Sequence, residues 1–225
     1  MPPETALPPE TPYHDSALDR LFIALFARKM ARVSGNQTQH RGYDGIVDLS
    51  RQIMRGRSPA QQQHAVAAIL HSLVPAPALA FIRAAFSPTR LVCELNAWFA
   101  SVMFEWLVGP CRVETAEIST TGGTSTQNSG VYIEKCRYLE QSGCVGMCVN
   151  MCKLPTQTFF TEQFGIPLTM TPDFETLSCR MVFGQTPDLE PESAYASPCL
   201  TGCPSAATQP TVCPQIQLTA SSRPH

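Results

Sequence analysis

The chain has 225 residues, 44% of them hydrophobic, which is enough to build a real core and excludes wholesale disorder. Sixteen basic against 18 acidic residues leave a net charge of −2, and only 15% of the chain is charged, so the basic excess of a nucleic-acid binder is absent. The 20 prolines and 10 cysteines are the unusual counts, and eight of the ten cysteines follow Tyr132.

Residues 1–12 hold five prolines and no periodic pattern, and are expected to form a disordered tail, with folding from Tyr13 onward. The N-terminus shows neither a basic region followed by an apolar one nor an Arg- and Ser-rich transit pattern, which points to a reducing cytosol. From Ser16, the residues Leu18, Leu21, Phe22, Leu25, Phe26 and Met30 recur at helical spacing, bordered by Arg20, Arg28, Lys29 and Arg32. The pattern predicts an amphipathic helix whose apolar face serves the core or, given its basic margin, a membrane surface.

A shorter helix is predicted over 42–54. Ser58 as N-cap and Pro59 at the first helical position open a third, which runs to Pro75. His64 and His71 lie on it seven residues apart, too distant to share a metal ion. After the Pro75 and Pro77 break, helices are predicted over 78–86 and 89–108. Trp98, Phe99, Phe104 and Trp106 make the last of these the best wall for a greasy ligand. Its most apolar run, 91–108, carries Glu94 and Glu105, so no segment reads as a membrane span.

Gly109 and Pro110 end the helical half. Residues 112–120 and 131–135 have strand character, and the intervening TGGTSTQNSG is a run of turn-formers, so the expectation is a β-hairpin with a long loop.

The cysteines Cys136, Cys144, Cys148 and Cys152 follow a C-x7-C-x3-C-x3-C pattern. On an α-helical wheel the last three fall within an arc of about 80°, flanked by valine and methionine, and Pro155 is expected to end that helix. Disulfides fit poorly, because thiols one turn apart have nearly parallel Cβ vectors. Buried cysteine as a small hydrophobe is a second reading. Zinc is a third, although no C-x2-C knuckle is present. A polynuclear iron-sulfur cluster, for which four irons and four sulfides is the expected form, tolerates wider thiol spacing and needs a fourth ligand, Cys136 or Cys179. Cys199 and Cys203, with Cys213 beyond them, are possible additional ligands. No G-x-S-x-G, H-E-x-x-H, phosphate loop or dinucleotide fingerprint occurs, so no catalytic residue is identified from motif alone.

The run 131–185 resembles the dwarf twenty-seven-like β-carotene isomerases of strigolactone biosynthesis. The segments YIEKCRYLE, GCVGMCVNMCKLPTQ, PLTMTPDFE and LSCRMVFGQ carry the resemblance, which continues more weakly back through FEWLVGPC, GYDGIVDLSRQIM and YHDSALDRLFIAL to Tyr13. The resemblance implies an iron-dependent, reversible conversion of all-trans-β-carotene to its 9-cis isomer, with β-carotene as partner and a peripheral contact with a thylakoid or plastid membrane. Joined to the lack of a transit pattern, it implies the cytoplasm of a phototrophic bacterium, or the chloroplast in a eukaryote. For the chemistry, one-electron exchange at iron held by Cys144, Cys148 and Cys152 with Cys136 or Cys179 stands beside transient protonation by Glu134 or Glu140. A non-catalytic iron-sulfur or carotenoid-binding protein is the alternative from another class, and a zinc-stabilised interaction module a third.

The expected architecture is α+β and mainly helical: a tail over 1–12, an isomerase-like domain over 13–190 and a Pro-rich, Cys-containing tail over 191–225. Within the domain, 13–110 is helical, 111–137 a hairpin and 138–190 a Cys-rich metal-binding part.

Overall fold

The computed structural model describes residues 11–85, 87–120 and 123–187. Six helices come first. In α1 (Ala17–Ser34), Ser16 accepts from the Asp19 N–H while the Asp19 carboxylate accepts from the Ser16 N–H, a reciprocal cap that fixes the start, and Gly35 at φ 72° fixes the end. The same device, Ser58 with Gln61, opens α3 (Pro59–Leu73). Between them lies α2 (Tyr43–Met54), and α4 (Ala76–Ala85) and α5 (Arg90–Met103) follow. The helix expected over 89–108 is interrupted: Phe104 leaves helical geometry at φ −110°, ψ 7°, and α6 (Glu105–Val108) sets off anew. That break turns Trp106 toward α1, where its ring meets Phe22 and Phe26.

The hairpin is β1 (Cys111–Thr120) with β2 (Gly123–Ile133), and its loop is far shorter than expected, because Thr120 pairs directly with Gly123. The run of Thr, Ser, Gln and Asn reads as turn chemistry locally. Cross-strand pairing and burial of alternate residues, Gln127 and Ser129 among them, override that preference. One hairpin was expected, whereas the described residues form two. Strands β3 (Leu168–Pro172) and β4 (Cys179–Phe183) complete a four-stranded antiparallel sheet of order β1-β2-β4-β3. The mainly helical α+β class stands.

Between the hairpins runs α7 (Arg137–Ser142), stopped by left-handed Gly143, and then a composite helix. The composite begins as α8 (Val145–Met147) and widens into a π-helical stretch, Cys148–Lys153. It then tightens to α9 (Leu154–Phe159) and widens again over Phe160–Phe164 before Gly165 ends it. Pro155 therefore does not end the helix. The Leu154 N–H reaches back five residues to Val149 O, and this wider turn gives the proline ring room beside a carbonyl it would otherwise strike.

One core joins the helices to the sheet, running from Ile23 and Met30 through Leu49, Ile53 and Ile69 to Leu168 and Phe183. The tail expected over 1–12 lies outside the described residues as far as residue 10. Thr11, by contrast, is held, its N–H donating to Glu140 Oε1 at 2.9 Å. Residues 191–225, with Cys199, Cys203 and Cys213, also lie outside the described residues.

Candidate active site

Three separate elements bring cysteines together. Cys136 stands ahead of α7, where its N–H donates to Leu177 O at 2.7 Å. Leu177 itself sits at φ 61°, a left-handed conformation that a bulky side chain adopts only when its surroundings enforce it. Two residues later Cys179 opens β4 opposite Ile133, on the β2 end that leads into Cys136. Cys148 and Cys152 lie on the π-helical stretch, whose wider turn replaces the α-helical spacing assumed for them.

Cys136, Cys148 and Cys179 are buried, and Cys152 is nearly so. Burial is the main cause that raises all four thiols above the ordinary cysteine range, with Cys152 pushed up to about 12. Their mutual repulsion as thiolates adds to it: Cys148 feels Cys152, Cys136 and Cys179, and Cys179 feels Cys136 and Cys152. The buried Lys153 acts the other way on Cys148 and Cys179. Cys144 is buried at the start of α8, with its carbonyl accepting from the Cys148 N–H at 3.2 Å. No disulfide joins any of the described cysteines.

The donor chemistry suits a thiophilic metal, since four thiols that resist ionisation alone would ionise readily against a cation. In the conformation described, however, no three His, Cys, Asp or Glu side chains among the described residues converge as a metal-holding group.

Beside the thiols lies a cavity of about 320 Å³ with an almost wholly apolar lining. Phe26 and Met30 of α1, Val66 and Ile69 of α3, and Phe104 and Trp106 bound one side. Met151, Phe159 and Phe160 of the composite helix and Met170, Met181 and Phe183 of the sheet bound the other. Its few polar points are Ser50, Tyr138, Thr156 and the thiols of Cys111 and Cys152. Cys152 thus belongs both to the thiol set and to the cavity wall. Tyr138 lines the same wall with its hydroxyl in hydrogen-bond reach of Ser50, and burial, ahead of the neighbouring thiols, keeps it firmly protonated. Leu73 lines the cavity too while remaining 42% exposed, which marks the mouth.

The aromatic stretch expected to wall a greasy ligand divides here. Phe104 and Trp106 line the cavity, whereas Trp98 and Phe99 face outward. The carboxylates considered as proton donors are elsewhere: Glu134 pairs with Arg112 on the exposed sheet face, and Glu140 is held by Lys135 and Tyr13. Neither lines the cavity. His71 is exposed and does not line the cavity, though its ring packs edge-on against Phe159, which does. Tyr138 and Lys153 are the functional candidates that sequence reading passed over. A tyrosine at the second position of a short, glycine-ended helix carries no signal of its own, and only the fold sets it between thiols and cavity.

The α+β fold holds a part-open, largely apolar chamber with the partly buried Cys152 in its wall, a cavity whose lining suits an apolar ligand. Residues 106–192 match the family model for the C-terminal part of beta-carotene isomerase D27-like proteins. The chain is 35% identical over 202 residues to beta-carotene isomerase D27, chloroplastic, of Medicago truncatula, a match covering 89% of this chain and 79% of that protein. It is 36% identical over 205 residues to the protein of the same name from Arabidopsis thaliana, covering 90% and 76%. No solved structure matches. The chain belongs to the beta-carotene isomerase D27-like family.

Proposed function

We propose that the protein is a carotenoid cis-trans isomerase that interconverts all-trans- and 9-cis-β-carotene in an oxygenic phototroph, and in the chloroplast where the source is a eukaryote. The observation that carries this reading is the double position of Cys152, in the wall of an apolar chamber and beside the buried thiols of Cys136, Cys148 and Cys179. Ligand cavities typically span roughly 300–1,000 Å³. At about 320 Å³ the chamber admits one end of a forty-carbon polyene, with the remainder leaving past Leu73.

Cys136, Cys148, Cys152 and Cys179 are the residues assigned to hold iron, as a cluster or a single ion, after rotation of their thiols, with Cys144 adjoining. Iron there would supply reversible one-electron exchange, which lowers the order of a double bond long enough for it to rotate. The protein does the rest. The aromatic and methionine walls grip the ring end, exclude water and set which bond of the polyene stands beside Cys152. Tyr138, held neutral, closes the polar corner of the chamber against stray protonation.

The test is to incubate protein purified without oxygen with all-trans-β-carotene in detergent micelles and follow the isomers by chromatography. Formation of the 9-cis isomer, lost on chelation of iron, is expected. Carotenoid retained with an unchanged isomer ratio would replace this reading with that of a pigment carrier.

A further inference from the structure

Three helices that border or adjoin the chamber expose large apolar side chains in rows rather than singly. On α5, Leu91, Leu95, Trp98 and Val102 stand on successive turns of one stripe, with Trp98 59% and Leu91 64% exposed, and Phe99 beside them. Phe99 packs edge-on against Phe104, which lines the chamber, so the stripe is continuous with its wall. On α1, Leu18, Leu21 and Leu25 form a second exposed stripe, next to the chamber-lining Phe26. Phe81 of α4, 68% exposed, adds a third element beyond Leu73.

Charge is arranged around these faces rather than within them. Along α5 the one acid near the stripe, Glu94, is engaged by Arg90 at 2.9 Å and by the Asn128 N–H at 3.1 Å. On α1 the leucine stripe passes into exposed Arg28 and Arg32 one and two turns further on. An apolar face edged by arginine is the pattern of an interfacial helix on an anionic bilayer. Among the described residues no single helix is long and apolar enough to cross a membrane, and the one pair that together would be, Pro59–Leu73 with Ala76–Ala84, is bent by 85°.

We infer that the α1 and α5 stripes dock the protein on the surface of an anionic lipid bilayer, with the chamber mouth at Leu73 turned into the lipid. The occupant is a lipid surface rather than a second copy, because a copy seated on these stripes would close the mouth, whereas acyl chains extend it. The inference rests on the carotenoid reading only for its purpose, which is to let a hydrocarbon pass from bilayer to chamber without meeting water.

The experiment is co-flotation of the protein with phosphatidylcholine vesicles, with and without phosphatidylglycerol, comparing the unaltered chain with Leu95→Glu/Trp98→Glu and with Arg28→Glu/Arg32→Glu. The apolar pair should lose roughly ten-fold or more of vesicle binding on both compositions, and the arginine pair should lose the preference for phosphatidylglycerol alone. Both variants should keep isomerisation of micelle-delivered β-carotene; for vesicle-embedded β-carotene the apolar pair should lose it on both compositions, whereas the arginine pair should lose only its increase with phosphatidylglycerol. Vesicle binding unchanged by Leu95→Glu/Trp98→Glu overturns the docking face. A lipid-independent dimer dissolved by the same pair overturns it in favour of a second copy. Vesicle binding that responds as expected in a protein inert toward micellar carotenoid upholds the docking face and removes the isomerase reading instead.

Discussion

Tyr13 Oη donates a 2.6 Å hydrogen bond to Glu140 Oε2 across 127 positions of sequence, tying the start of the fold to α7 just before the thiol-bearing helix. Thr11 reinforces the tie, and Lys135 Nζ lies 2.5 Å from Glu140 Oε1. Hydrogen bonds to a charged group contribute about 1.5–3 kcal/mol. Tyr13→Phe leaves the other partners of Glu140 in place, so a loss of about 1.5 kcal/mol is expected, read as a lower urea midpoint with an unchanged slope.

The same carboxylate sets an acid dependence. Burial pushes the Glu140 carboxyl up, but the hydrogen bonds from Lys135, Tyr13 and Thr11 outweigh it and leave it below the ordinary glutamate range. A lowered carboxyl contributes stability that is full above the unfolded-state value and is lost as pH falls through the folded-state value. Unfolding curves from neutral pH to below pH ~4 should therefore steepen their decline in the unaltered chain. Glu140→Gln should start less stable and decline less over that range.

Single replacements of Cys136, Cys148, Cys152 and Cys179 by serine should each lower bound iron and isomerase activity together. Cys93→Ala should keep both, because Cys93 is packed between α5 and Gly184, away from the set. Metal analysis of anaerobically purified variants checks this, and full iron in any of the four serine variants would remove that residue from the site.

Filling the chamber separates substrate from metal. Ala100 is buried in the chamber wall, and a phenylalanine there projects into open space rather than into packed core. Ala100→Phe should reduce carotenoid binding about ten-fold or more while leaving iron content and the thermal midpoint near their original values. Pigment retention during gel filtration provides the readout.

Gly184 has φ +91°, and a Cβ built there would stand 2.9 Å from Cys93 Sγ. Gly184→Ala carries both a conformational penalty and a steric one, together about 2 kcal/mol or more. In the double variant Gly184→Ala/Cys93→Ala the steric part should disappear while the conformational part of about 1 kcal/mol remains, which a thermodynamic cycle resolves.

The helices of the first half were legible because their ends are written in short range: Ser16 with Asp19, Ser58 with Gln61 and Pro59, Thr89 as a cap. The alternation Leu168, Met170 and then Cys179, Met181, Phe183, all buried, was a readable strand signal that the nearby turn residues obscured. The π-helical stretch was not legible, since a wheel at one fixed angle presupposes the turn it is meant to test. The thiols could be recognised as a group, yet their separation into three elements depends on the pairing of β4 with β2. The chamber had no local signature at all, because its wall is gathered from Phe26 to Phe183.

The sheet order β1-β2-β4-β3 places the last strand of the described chain in an interior position, between two strands synthesised before it. During translation the β1–β2 hairpin therefore emerges with the β2 edge that β4 later pairs still open, and its native partner is not made until Cys179 onward. Every nascent chain passes through an interval of about fifty residues in which Gly130–Ile133 can recruit a foreign strand. Slower elongation across that interval should increase dependence on ribosome-associated chaperones, a cost of topology that no contact in the finished molecule reveals.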